Sequence, residues 1–335
     1  MQNYSLKLKI IRVFLVFLIL YFALCTFHLS EANAQQISLA ISPPLIELVI
    51  KPGKSVLIAY KLENRGDPIV IKSTVLPFQA NDNLGNIKVK PEFDGPVRFN
   101  LDNSEIQLDQ PFFLRSGASQ QLLLRIRVPE GASEGDYYYT FLSESQPAPV
   151  IEGISSTRNK ATIGANILIT ISQTGRVEVQ GRIALFDVLA KLKLKLFKNV
   201  FNFFDSTDKI PIVLIVNNKG KNMIKPYGEI KLTGNFGEKA SYEILPQNIL
   251  SQSQRQLMAT PSASINIQKP VTLVLSGFFI GRYRLATTLN FGPGTTTLYA
   301  ATDFIALPFK LMTVLVLVIF ITLLLVKKLS KSDDQ

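Results

Sequence analysis

The chain has 335 residues and carries 36 Lys and Arg against 25 Asp and Glu, a formal net charge of +11. Its single cysteine, Cys25, and its single histidine, His28, both lie near the amino end. The remainder can form no disulfide, no Ser-His-Asp or Cys-His catalytic set and no zinc site with His or Cys ligands, and no nucleic-acid motif accompanies the positive charge.

The first segment carries Lys7, Lys9 and Arg12, then an apolar run from Val13 to Phe27, then Ala32-Asn33-Ala34. A basic head, an apolar middle and small residues spaced A-x-A predict a secretory signal over residues 1–34. Cleavage is expected after Ala34, which leaves Gln35 as the first residue. Loss of Lys7, Lys9, Arg12 and Glu31 lowers the charge to about +9.

Residues 35–173 read as strands. Val56, Ile58, Tyr60 and Leu62 alternate with Leu57, Ala59, Lys61 and Glu63, and Leu122 to Val128 alternates likewise. Such period-two runs bury one face of a sheet. Turn formers separate them at Lys51-Pro52-Gly53, Asn64-Arg65-Gly66-Asp67-Pro68, Asn81-Asp82-Asn83 and Pro129-Glu130-Gly131. Residues 174–208 form a connector with an amphipathic stretch. Leu185, Leu189, Leu192, Leu196, Val200 and Phe203 fit helical spacing, whereas Leu192-Lys193-Leu194-Lys195-Leu196 fits strict alternation. Both patterns stay open here; a basic amphipathic helix would suit a membrane surface. Residues 209–305 return to strand texture. Residues 306–326 then predict a transmembrane helix, because Leu311 to Val326 contains no charge, Gly or Pro. Lys327, Lys328 and Lys331 put residues 327–335 in the cytoplasm as a basic tail, with the preceding domains outside the cell membrane.

The two strand-rich regions look like a diverged repeat. Asn64-Arg65-Gly66 and Asn218-Lys219-Gly220 follow equivalent strands, and Gly135-Asp136-Tyr137 and Gly281-Arg282-Tyr283 launch equivalent later ones. The fold class expected is all-β: two tandem Ig-like β-sandwich domains between a signal peptide and a transmembrane helix. The stretch Ile41-Ser42-Pro43-Pro44-Leu45-Ile46-Glu47-Leu48 with Lys51-Pro52-Gly53-Lys54-Ser55 resembles the opening strands of the bacterial WxL-interacting proteins. That resemblance implies a surface protein whose first domain contacts peptidoglycan and whose second contacts a protein ligand.

Candidate sites are few. Arg65-Gly66-Asp67 matches an adhesive tripeptide, but Gly and Asp are ordinary turn residues. Asn81 to Asn86 has the composition of a calcium loop without its spacing. Glu130, Glu134, Asp136 and Glu144 form a loop cluster of carboxylates without a cleft. Lys225 to Glu229 describes a tight bend that could serve a ligand. No catalytic, cofactor-binding or metal-binding residue is expected, and no cofactor. The chain is expected to be a non-enzymatic, single-pass membrane protein of the bacterial cell surface. Its expected partners are peptidoglycan or another anionic wall polymer, or a surface protein. The alternative is a structural or chaperone-like scaffold subunit of an envelope complex.

Overall fold

The computed structural model describes residues 14–21, 36–146, 160–196, 199–260, 270–292 and 294–332. The signal cleavage residues Ala32, Ala34 and Gln35, with Cys25 and His28, lie outside them.

Ten strands build the first sandwich: β1 (Leu39–Ser42), β2 (Leu45–Ile50), β3 (Ser55–Asn64), β4 (Ile69–Ala80), β5 (Ile87–Val89), β6 (Arg98–Leu101), β7 (Pro111–Leu114), β8 (Ser119–Arg127), β9 (Gly135–Gln146) and β10 (Thr162–Ile171). One sheet has the order β1-β3-β8-β6, and the other β2-β10-β9-β4-β5 with β7 also paired to β4. The alternation expected along β3 is present: Tyr60 and Leu62 are buried while Lys61 is exposed. The chain changes sheets at Pro43-Pro44. Proline has no N–H for a ladder, so pairing stops there. β1 pairs antiparallel with β3, and β2 pairs parallel with β10. Tyr60, Leu124, Phe141 and Ile169 lie in the core, where the Tyr60 and Phe141 rings sit 5.1 Å apart.

The second sandwich repeats this plan with β11 (Gly181–Val188), β12 (Leu192–Leu196), β13 (Asn199–Asp205), β14 (Ile210–Asn218), β15 (Tyr227–Gly234), β16 (Lys239–Ile244), β17 (Gln254–Gln256), β18 (Leu273–Leu275), β19 (Gly281–Asn290) and β20 (Leu298–Leu307). Its sheets run β11-β14-β17, with β18 also on β14, and β12-β13-β20-β19-β15-β16. β11 pairs antiparallel with β14, as β1 does with β3, and β13 pairs parallel with β20, as β2 does with β10. Its core holds Ile212, Leu285, Phe279 and the stacked rings of Tyr283 and Phe304, 5.1 Å apart. Of the two patterns open for residues 185–203, strand alternation is the one adopted.

The repeat extends to side-chain hydrogen bonds. Asn64 is buried at the end of β3. Its Nδ2 donates to the carbonyls of Asp67, Leu114 and Arg115, and its Oδ1 accepts from the Gly66 N–H. Asn218 ends β14 in the same way. Its Nδ2 donates to the carbonyls of Asn222, Ile249 and Leu250, and its Oδ1 accepts from the Gly220 N–H. In both sandwiches one amide closes a turn and fastens a neighbouring loop.

The transmembrane helix expected at residues 306–326 is corrected. A helix, α1, does span Phe309–Ser332. Among the described residues, however, no helix is long and apolar enough to cross a membrane. The uncharged run from Leu311 to Val326 extends about 24 Å at 1.5 Å per residue, against a hydrocarbon core of about 30 Å. The single-pass topology, the outward-facing ectodomain and the cytoplasmic tail were all inferred from that span and are corrected with it. Leu311, Val314, Leu317, Phe320 and Leu324 are exposed. The start of α1 is fixed to the second sandwich. The buried Asp205 carboxylate accepts from the Lys310 N–H at 2.9 Å, and the Lys310 ammonium lies 2.6 Å from Asp208.

Candidate functional site: the cleft between the sandwiches

The sequence candidates mostly resolve into structural roles. In Arg65-Gly66-Asp67, Gly66 donates to Asn64, the Asp67 carboxylate accepts from the Gln36 N–H at 2.8 Å, and Arg65 pairs with Glu63. Asn81 to Asn86 turns β4 into β5, and the Asp82 carboxylate accepts from the N–H groups of Leu84 and Asn86. The four carboxylates do not converge. Glu134 accepts from the Gln173 N–H, Glu144 pairs with Lys160, and Glu130 lies beside Gly53. The fourth, Asp136, leads to the domain junction.

Asp136 sits at the start of β9, just after Gly135 with φ 141°. Its carboxylate accepts four hydrogen bonds. Two come from its own sandwich: the Thr170 hydroxyl at 2.8 Å and the Tyr138 hydroxyl at 3.0 Å. Two come from the second sandwich: the Asn222 Nδ2 at 2.8 Å and the Met223 N–H. Tyr138 adds a further bond across the junction, accepting from the Ser251 N–H at 2.8 Å. Burial, then the neighbouring Asp136 charge, pushes the Tyr138 phenol well above its ordinary pKa, so it stays protonated. Glu47 on β2 accepts from the Lys225 ammonium at 3.0 Å and the Asn248 Nδ2 at 2.5 Å. Burial raises the Glu47 pKa, but the hydrogen bonds from Asn248 and Lys225 outweigh it and the net shift is downward. The Gln256 N–H donates to the Asn83 carbonyl at 2.6 Å.

These contacts frame a cleft of about 360 Å³. Leu45, Phe78, Ile87 and Leu168 line it from the first sandwich, and Ile249, Asn248 and Arg255 from the second. Phe78 stacks on Tyr138 with ring centroids 5.9 Å apart. Of the charged residues lining the cleft, Lys225 is paired with Glu47 and Asp82 is bonded within its own turn, which leaves Arg255. Its Nη1 donates to the Asn248 carbonyl at 2.7 Å, its Nε is buried without a partner, and burial pushes its pKa down. It forms no ion pair with a carboxylate among the described residues. Gly85, at φ 92°, lets the guanidinium lie against the β4–β5 turn, because a Cβ there would fall 2.5 Å from Nη2. An apolar wall with one incompletely satisfied guanidinium suits a peptide segment carrying an anionic group.

Lys225 and Asp136 stood among the sequence candidates, and Glu47 interrupts an otherwise apolar strand. Arg255, Tyr138 and Asn248 carry no such signal. Among the described residues no group of three or more His, Cys, Asp and Glu side chains could hold a metal ion.

No protein family matches the chain, and no curated protein does. Solved structures do. The chain is similar to the class 5 fimbriae chaperone CfaA, at 14% identity over 80% of this chain and 99% of that one, with a TM-score of 0.37. It is similar to a SafA pilin–SafB chaperone complex of Salmonella enterica, at 10% identity over 81% and 99%, with a TM-score of 0.35. It is also similar to a CsuC–CsuE chaperone–tip adhesion subunit complex of Acinetobacter baumannii, at 10% identity over 81% and 99%, with a TM-score of 0.33. Likeness at these values carries no assignment of function. The expected kinship with WxL-interacting proteins is corrected on other grounds: no family model matches the chain, and that plan needs a span which no helix among the described residues can make. The motifs behind that expectation are turns that other sandwiches also use: Lys51-Pro52-Gly53 places Gly53 at φ 77° after β2. The expected wall-polymer binding and surface-protein role rested on that kinship and on the span, and are corrected too.

Proposed function

We propose that the protein is a chaperone-like or scaffold component that holds a segment of another protein in the cleft between its two sandwiches. The observation carrying this reading is Arg255, a half-buried cation without a carboxylate partner, set in an apolar cleft whose two walls are pinned together by Asp136, Tyr138 and Glu47. Pinning the walls in advance lowers the ordering cost of binding. The fimbrial chaperone structures similar to this chain bear names consistent with such a role. Cleavage after Ala34 belongs to the same reading, as export of the mature chain from Gln35.

A photo-crosslinking residue at Phe78 in the full-length chain, expressed in its own cells, tests the cleft. The expected result is one adduct of defined mass, lost with Arg255→Ala and absent when the probe replaces the exposed Phe113. Equal adducts at both positions, or none at Phe78, would overturn the proposal.

A further inference from the structure

The second sandwich departs from the first at one place. In the first, only Pro43 and Pro44 separate β1 from β2. In the second, the matching strands β11 and β13 are separated by residues 189–198, and this insertion contains β12. β12 is the outermost strand of its sheet, paired with β13 on one side and with no described strand on the other. It reads Leu192-Lys193-Leu194-Lys195-Leu196. Residues 191–195 are all exposed, Leu192 by 56% and Leu194 by 46%. Edge strands guard against chance pairing with charge, shortness or a bulge. β12 has lysines, but it also presents leucines. In register, Leu192 lies opposite Phe203 and Leu194 opposite Phe201, and Phe203 lies beside Ile305 on β20. Directly paired residues share a face, so an apolar stripe runs from β20 out to the open edge.

We propose that the free edge of β12 docks an extended strand of a partner protein in which Asp or Glu alternates with apolar residues. An added strand satisfies the open N–H and C=O groups of β12 and covers Leu192 and Leu194. Its acids fall opposite lysines. Lys193 holds Asp187 at 3.1 Å, whereas Lys191 and Lys195 pair with no carboxylate among the described residues. A second copy of the chain fits badly. Antiparallel self-pairing centred on Leu194 sets Lys193 against Lys195, and in-register parallel pairing sets each lysine against itself. Like charges directly opposite are destabilising. This edge shares no residue with the interdomain cleft, so failure of one proposal leaves the other standing.

The probe is a synthetic peptide of alternating Glu and Val with a central benzophenone residue, compared with its Lys–Val counterpart on the full-length chain. The Glu–Val peptide is expected to bind at least about tenfold more tightly, with adducts at residues 191–196, and the double variant K191E/K195E to reverse the preference. If charge reversal prevents folding, K191A/K195A with an unchanged thermal melt must weaken the Glu–Val peptide by a similar factor. Absence of a charge preference, adducts confined to other elements, or no binding by a folded chain would overturn the proposal.

Discussion

Asn64 and Asn218 each occupy a place where a buried strand must end while its neighbours' carbonyls still need donors. An asparagine amide offers two N–H groups and one acceptor from a short side chain, so it can close its own turn and hold a distant loop together. Aspartate would keep the acceptor and lose the donors. Asn218→Ala leaves the Asn222 carbonyl and the Gly220 N–H short of partners and removes one donor each from the Ile249 and Leu250 carbonyls, which keep Ile224 and Ser253. It is expected to cost about 2–4 kcal/mol of stability, read as a lower urea midpoint at unchanged slope. A loss below about 0.5 kcal/mol would show that solvent replaces those bonds. The same geometry accounts for Arg65-Gly66-Asp67, whose three side chains or amides are engaged within the first sandwich.

Among the elements, strands were legible in the sequence where alternation is local and strong, as in β3, β8 and β14. Glycine marked the entries of β9 and β19 because φ is positive there, 141° at Gly135 and 91° at Gly281. The tract 185–203 was undecidable by spacing alone, since leucines recur at both periods; pairing of β13 with β20 decides it. The carboxyl-terminal helix was legible as a helix, but its expected crossing of a membrane was not upheld. Its anchorage was not legible, because Asp205 lies 105 residues before Lys310. The hydrogen bond from the Lys310 N–H, then those from Thr207, hold the Asp205 carboxyl far below the ordinary carboxylate range. A depressed folded pKa stabilises the fold above the unfolded value of about 3.9 and loses that contribution as pH falls below it. Thermal melts of the chain and of Asp205→Asn are expected to differ at pH 6 and to converge as pH falls below about 4. A constant gap down to pH 2.5 would contradict this role for the charge.

At the scale of the whole molecule, the junction was almost illegible. Glu47 and Asn248 lie 201 residues apart, Tyr138 and Ser251 113, and Asp136 and Met223 87. No periodicity reports such pairings. They are polar contacts between two finished folds, set by how the sandwiches meet and not by the pattern within either. Asp136 takes the largest part, since its one carboxylate joins β9, β10 and the turn after β14. Without that acceptor the Asn222 and Met223 donors lose their cross-junction partner, and the walls of the cleft are held, among the described residues, only by the contacts of Tyr138, Glu47 and Asn83. Interdomain interfaces of this polar kind permit relative motion unless specific contacts oppose it.

The claim that the two sandwiches form one preset cleft is tested most directly by electron-spin distance measurement. Labels would be placed at Gln121 and Lys239, in a Cys25→Ser background of the full-length chain. One narrow distance distribution is predicted for that protein, and a broad one for the same protein carrying Asp136→Ala. A broad distribution with Asp136 intact would contradict the account.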